Sequence, residues 1–394
     1  MQTPTLNELY RDAALRHQIG VRRYSAGEAK KVAKLLEQAD ADLVDKLKKR
    51  LSKFGNRAVD PTSERWKELL TDIRVLRAET LKSIQGTATA DLAQFAKDEH
   101  AAELAVLKSV SPLEVEFAVV AAEQLRAIAT AKPFDGHLLK DWWQSLAQLD
   151  QKNVIQAIQI GMTQGQPVDD VVRRIAGTRV NKYSDGVLAI TRRNAQAITR
   201  TAINHVSNQA RGALWEENKN LFQAKIWSAT LDGRTSAICR ARDGHGTPVG
   251  NSELPAGVPP LNPPGAVPPG HHNCRSTLVA YIDGIGLVGN RPFVTDIRTR
   301  QKREIDFRQM AKDQKRPIQE VRAEWAANNV GQVPTTTNYQ DFLSRQPATF
   351  QDQVLGVTKG KLFRSGKIKL DQFVDRNGNE LTIDQLRELH PKAF

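Results

Sequence analysis

Hydrophobic positions recur at helical spacing through the first half of the chain. From about residue 26 to 131, Leu35, Leu36, Ala39, Leu43 and Leu47 fall on one face, with an opening signal at Ser25-Ala-Gly-Glu28. Past a capped break at Asp60-Pro-Thr-Ser-Glu64, the series Trp66, Leu69, Leu70, Ile73, Leu76 and Leu81 forms a second face. Ser111-Pro-Leu-Glu114 has the grammar of a further helix start, with an early proline and an acid in the first turn. Short connections between such helices predict an antiparallel bundle. Lys132-Pro-Phe-Asp-Gly136 breaks the pattern, and Trp142, Trp143, Leu146 and Leu149 resume it. Residues 158–167 and 168–177 then read as helix, glycine cap, turn, short helix and glycine stop, followed by a long helix from Asp185 to Asn218 that carries His205.

At Phe222-Gln-Ala-Lys-Ile-Trp227 the period changes to two, predicting a strand, and Thr277-Leu-Val-Ala-Tyr281 is its expected antiparallel partner. The intervening stretch is rich in proline and glycine, which exclude both helix and central strand. A structureless connection of that length inside a domain needs something to hold its base. Beyond Asp283-Gly-Ile-Gly286, charges of both signs crowd Arg298 to Arg308. Residues 338–394 read as a compact unit: short helices near 339–345 and 350–355, turns at Arg364-Ser-Gly-Lys367 and Asn377-Gly378, and a capped last helix from Thr382 to Leu389. The expected class is α+β, predominantly α-helical. It divides into an N-terminal helical region (1–135), a core of helices with a small antiparallel sheet and a long Pro/Gly loop (136–285), a charged linker or helix (286–337) and a small C-terminal α+β module (338–394).

Composition is that of an ordinary globular protein, 40% hydrophobic and 26% charged over 394 residues, with room for two or three domains. The net charge of +13 favours attraction to a polyanion, so double-stranded DNA is one expected partner. Many basic residues share helices with acids, as around Asp45-Lys-Leu-Lys-Lys-Arg50, and a solvated face explains them equally well. The same holds for Arg192, Arg193 and Arg200. No apolar run reaches eighteen residues and Met1-Gln-Thr-Pro-Thr-Leu6 lacks a signal pattern, so no membrane span is expected and synthesis is read as cytosolic.

The two cysteines of the chain, Cys239 and Cys274, bracket the loop, with His245, His271 and His272 close to them in sequence. Thiolates and imidazoles at both ends of a loop can close it as a tetrahedral zinc site: Cys239, His271 and Cys274, with His272 or His245 as fourth ligand. No Cys-x-x-Cys half-site is present, and the alternative is a small buried hydrophobe at Cys239 beside histidines that bond the loop backbone. A cysteine-dependent hydrolase or transferase, with Asp232 or Asp243 orienting a histidine, is the rival reading; an independent DNA-binding protein is a third. Asp232-Gly-Arg-Thr-Ser236 predicts a turn in which Asp232 accepts backbone N–H groups and Arg234 pairs with a carboxylate. Gly161, Gly165 and Gly177 do not form a phosphate loop, and Asp371, Asp375 and Asn377 lack the rest of a calcium loop.

Taken in order, Ile198-Thr-Arg-Thr-Ala202 with Arg200 and Thr201, the Trp227-to-Asp232 strand and turn, Arg234-Thr235, Cys239, Asp243-Gly244 and Pro268-Pro-Gly-His-His-Asn-Cys-Arg275 resemble the phage Mu F-like head morphogenesis family, the minor head proteins of tailed bacteriophages. The resemblance covers residues 158–282, and residues 342–386 are similar to tails found on such proteins. It implies a structural, non-enzymatic role in capsid assembly near the portal vertex. The implied partners are the portal protein and the major capsid or scaffolding protein, with an influence on packaged DNA or its ejection. It also implies a place in the virion, at the head interior or portal vertex, after assembly in the host cytoplasm. Many members carry further cysteines where this chain has Ser236 and Ser276, so the carried-over ligand set is Cys239, His271 and Cys274.

Overall fold

Two very long helices form the N-terminal third: α1, Leu6–Leu51, and α2, Glu64–Val110. The computed structural model describes residues 6–55, 58–110, 115–282 and 290–394. Helix α1 begins about twenty residues before its expected start, because the cap-like Ser25-Ala-Gly-Glu28 lies in mid-helix with Ser25 buried and Tyr24 stacked on Phe95 at 4.6 Å. The expected helix start at Ser111 to Glu114 lies outside the described residues. After it the chain runs non-helically to α3, Ala122–Ala131, held where the Asn218 side chain both accepts from Ala118 N and donates to Ala118 O, each at 2.9 Å.

Helix α4 (Leu139–Thr163), α5 (Val168–Ala176) and α6 (Val187–Glu217) follow. The stop at Gly177 is real: its φ is +92°, and a Cβ there would stand 2.7 Å from Asp185 Oδ1. Leu36, Leu43, Leu47 and the Trp66 series are buried as the periodicity requires, Leu76 only half so. Leu149 departs from expectation: it is exposed, and the next residue, Asp150, takes the buried position. One core joins α1, α2, α3, α4 and α6 with Phe222 and Leu278; a second joins the end of α1 and the start of α2 to α4 and α5.

Strand β1 (Phe222–Ser228) leads to the two-residue β2 (Leu231–Asp232), α7 (Ala237–Arg242), β3 (Gly246–Pro248) and β4 (Thr277–Ile282). The first sheet has the order β3-β1-β4, antiparallel throughout, with Lys225 opposite Ala280 and Trp227 opposite Leu278, as the alternation predicted. A second sheet was not foreseen. It comprises β2, β5 (Asn290–Val294) and β6 (Val330–Pro334), with β2 and β5 parallel and β5 and β6 antiparallel. Its strands escape the pattern because β2 is two residues long and β5 contains Pro292. Between β5 and β6 lie α8 (Arg300–Asp313) and α9 (Ile318–Asn329), so the charged segment folds as strand, two helices and strand. Residues 283–286, where a turn and a boundary were expected, lie outside the described residues.

The C-terminal unit packs α10 (Tyr339–Ser344), α11 (Ala348–Leu355), α12 (Val357–Arg364), a 3-10 turn at Leu370–Phe373 and α13 (Ile383–Leu389) around Phe342, Phe350 and Leu386. Thr382 caps α13 in a capping box with Gln385. Its β content among the described residues is a bridge between Val374 and Glu380. No helix among the described residues is long and apolar enough to cross a membrane.

A buried ion network ties the bundle to α6. The Arg77 guanidinium donates to Asp150 at 2.7 and 2.9 Å and to Asp40 at 2.9 Å; Arg192 donates to Asp40 at 2.6 Å and Thr191 to Asp150 at 2.6 Å. Four helices thus meet at one guanidinium that is 1% exposed. Removing one partner of such a set leaves buried charge without compensation, which costs about 3–5 kcal/mol. Arg77→Ala is therefore expected to lower the unfolding free energy by about that amount in chemical denaturation, whereas Arg50→Ala, which breaks an exposed pair with Asp72, should change it by less than about 1 kcal/mol. Equal effects of the two variants would refute the structural weight assigned to Arg77.

Candidate functional site

The motif residues fall in two halves on either side of the loop, Trp227 to Cys239 and Pro268 to Ser276, and the first half-motif turns sharply after β1. Asp232 Oδ1 accepts from Arg234 N at 3.0 Å and from the Thr235 hydroxyl at 3.2 Å, as the turn reading expected. Its close guanidinium partner, however, is Arg275 from the second half-motif, bidentate at 2.5 and 2.8 Å; Arg234 stands 3.6 Å away. Burial pushes the Asp232 carboxyl upward, but hydrogen bonds and charge from Arg275 outweigh it and hold the group below the usual carboxylate range. Asp243 is engaged in the same way: it accepts from Ala229 N at 2.6 Å and from Arg291 at 2.9 and 3.0 Å. Both motif acids are buried and both cross-link distant strands.

Gly244 and His245 return the chain against β1, with Gly244 N donating to Trp227 O and Trp227 N to His245 O at 2.9 and 2.8 Å. The loop then folds over β3: Gly246 N donates to Pro259 O and Leu261 N to Gly246 O, both at 2.8 Å, and Leu261 is buried. It comes back at Gly270 beside Trp227, over whose ring the Arg242 guanidinium stacks at 5.2 Å.

Helix α6 holds the second half-motif. The Thr201 hydroxyl accepts from Asn273 N at 3.0 Å and Arg200 donates to the Asn273 side chain at 2.8 Å, which gives both motif residues a structural task. One turn on, the Asn204 amide donates to Cys274 O and Ser276 O at 2.9 and 3.2 Å; Asn208 accepts from Leu278 N at 2.7 Å. Asn204 and Asn208 were missed in the sequence. Their signal was two amides four residues apart, one and two turns on from the motif pair Arg200 and Thr201.

This scaffold brings Cys239, His271 and Cys274 together. Cys239 Sγ lies 3.4 Å from His271 Nε2 and 3.5 Å from Cys274 Sγ, within a small buried cluster that includes Trp227 and Leu261. Tetrahedral zinc with ordinary bond lengths separates two sulfurs by about 3.8 Å and a sulfur from a nitrogen by about 3.6 Å. The observed edges are close to both. His271 Nδ1 donates to His272 O at 2.8 Å, which leaves Nε2 as the free ligand atom facing the sulfurs. Without a metal, hydrogen bonds from Cys239 and His271 pull the Cys274 thiol down despite its burial, while the Cys274 contact and burial push Cys239 up. The Cys274 contact raises His271.

The expected fourth ligands do not join this group. The donor cluster among the described residues contains three side chains. His272 instead packs edge-on against Trp142 at 4.5 Å, and the His245 Nδ1 is buried without a hydrogen-bond partner among the described residues. The fourth side of the group opens on a cavity of about 50 Å³ lined by Ser236, Ser276, Asn273 and Arg275. Ser236 Oγ is buried there beside Cys239. His205 lies elsewhere in the core, where burial lowers it to about 4.

The Asp232 geometry makes a pH prediction. A carboxyl held below its unfolded value, near 3.9, contributes stability that is complete above about pH 4 and is lost as pH falls through the folded value. Asp232→Asn should cost about 1.5–3 kcal/mol at pH 7, the worth of a hydrogen bond to a charged group, and flatten the fall in stability below pH 4, as read by denaturant titrations across that range. An unchanged acid slope would show that the Arg275 pair is not what depresses the group.

Residues 151–279 match the family model described as Phage Mu protein F like protein. No curated protein and no solved structure matches the chain. The matched span runs from α4 to β4 and contains α6, both half-motifs and the Cys239, His271 and Cys274 group. Through this segment, about a third of its length, the chain is similar to the phage Mu protein F-like family.

Proposed function

We propose that the protein is a structural component of a tailed-phage head, acting in capsid assembly near the portal vertex, with the portal protein and the major capsid or scaffolding protein as partners. The observation that carries this reading is the family match over the clamped core. The chemistry of the site supports a structural rather than enzymatic part. Asp232 and Asp243, the carboxylates a cysteine enzyme would use to orient histidine, are each engaged by an arginine. The 50 Å³ cavity beside Cys239 is far below the several hundred Å³ of a typical substrate pocket. Part of the positive charge is internal, on Arg77, Arg192, Arg211, Arg275 and Arg291, so contact with packaged DNA would rest on the exposed remainder.

Two measurements test this reading. The protein is expected in purified particles and bound to the portal protein when the two are co-expressed; absence from both particles and assembly intermediates would sink it.

The loop closure has its own test. Zinc held by Cys239, His271 and Cys274 would cross-link the two ends of the loop, and this is the ligand their separations fit. Elemental analysis should find about one zinc per chain, lost in Cys274→Ser together with a fall in thermal midpoint of several degrees. Wild-type protein purified without chelator and free of zinc would leave the clamp to hydrogen bonds and packing.

A further inference from the structure

The group that fits a metal also holds the two thiols in direct contact. We infer that Cys239 and Cys274 form an oxidation site that takes a small peroxide and closes the loop as an intramolecular disulfide. The inference requires neither the assembly role nor the metal.

Three features carry it. The sulfurs stand 3.5 Å apart, so bond formation needs an approach of about 1.5 Å. The segment that yields is the irregular stretch before β4 that carries Cys274, while Cys239 stays on α7, whose other face is seated on the C-terminal unit. The chain has two cysteines, and Ser236 and Ser276 occupy neighbouring positions, so a single intramolecular pairing exists and no exchange within the chain can scramble it. The third feature is access. Both thiols are buried, yet the cavity of about 50 Å³ reaches Cys239. That space accepts molecules the size of a few waters, which admits hydrogen peroxide and excludes a disulfide reagent as large as glutathione disulfide.

The chemistry balances with peroxide as the oxidant. One sulfur attacks a peroxide oxygen, the O–O bond breaks, and a sulfenic acid and one water result. The second sulfur then attacks the sulfenic sulfur; the S–S bond forms, the S–O bond breaks, and the hydroxyl leaves as water with the second thiol proton. Overall two thiols lose two electrons, and peroxide becomes two waters. A reducing cytosol would keep the pair as thiols, and an oxidising exterior would lock it. Metal and disulfide are mutually exclusive occupants of the same three side chains.

The test uses the full chain, stripped of metal with a chelator and treated separately with hydrogen peroxide and with glutathione disulfide. Mass spectrometry should show the peroxide-treated chain losing the mass of two hydrogen atoms. Peptide mapping should recover a Cys239–Cys274 cross-link that dithiothreitol reverses, formed with peroxide at least roughly tenfold faster than with glutathione disulfide. Mapping on the wild-type protein carries the test even where Cys239→Ser, the control, folds poorly. Independent oxidation of the cysteines to sulfinic acid without a cross-link would overturn the inference, as would two thiols that both remain free. A parallel zinc-loaded sample separates the readings: protection by zinc supports both, while equal oxidation with and without zinc supports the disulfide and counts against the metal.

Discussion

Burial of α6 is the constraint around which the molecule is arranged. This helix of 31 residues is buried over much of its circumference while carrying Thr191, Asn208 and Arg211 among its buried positions. A buried polar group without a partner costs more than a typical hydrogen bond contributes, so everything packed on α6 must answer its polar atoms. The long N-terminal helices do so on one side. Glu99 accepts from Ser207 at 2.6 Å; Glu103 accepts from Arg211 and from Trp215 at 3.1 and 2.9 Å. Further along, Asp40, Arg77 and Asp150 form the network that reaches Thr191 and Arg192. The loop does so on the other side, through the backbone of residues 273–278. The bundle and the loop therefore share a helix, and they also meet directly, where Arg22 of α1 donates to Arg275 O at 3.1 Å and Trp142 of α4 packs on His272.

That arrangement explains why the two half-motifs are far apart in sequence and close in space. Asp232 and Arg275 join the first to the second, while Asp243 and Arg291 join the first to β5. Each pair is a buried carboxylate with a bidentate guanidinium, whose geometry fixes orientation as well as distance. The loop base is thus held by ion pairs, by α6 amides and by the sulfur and imidazole group, three kinds of bond acting on one short segment.

Much of this was legible in the sequence where a period was long or a residue chemically distinctive. The α2 stripe from Trp66, the α6 span, the β1 and β4 pair and the Thr382 cap follow from periodicity and capping rules that local chemistry decides. Cys239, His271 and Cys274 were legible because few other side chains do their chemistry. The second sheet was not, since β2 pairs in parallel with a strand about sixty residues away and neither strand alternates. Nor were the partners of the ions. Leu149 and Asp150 exchange their expected places because Arg77, on another helix, compensates the acid, and a one-dimensional pattern carries no information about that neighbour.

Helix α7 links these levels, because its two faces look at different parts of the protein. Cys239 faces the loop closure, whereas Ile238 meets Gly378 of the C-terminal unit so closely that a Cβ on that glycine would stand 2.2 Å from Ile238 Cδ1. Arg240 donates to Val354 O at 3.2 Å, and Tyr339 donates to Asp232 O at 2.7 Å. Leu231, one residue before the motif acid, is part of the C-terminal core. A six-residue helix is too short to absorb strain along its length, so a shift of Cys239 toward or away from Cys274 must displace contacts on its opposite face. A metal or covalent bond at this closure would therefore act on the seating of the C-terminal unit through α7. The segment that bears the thiol chemistry is also the one that couples the α6 core to the rest of the chain.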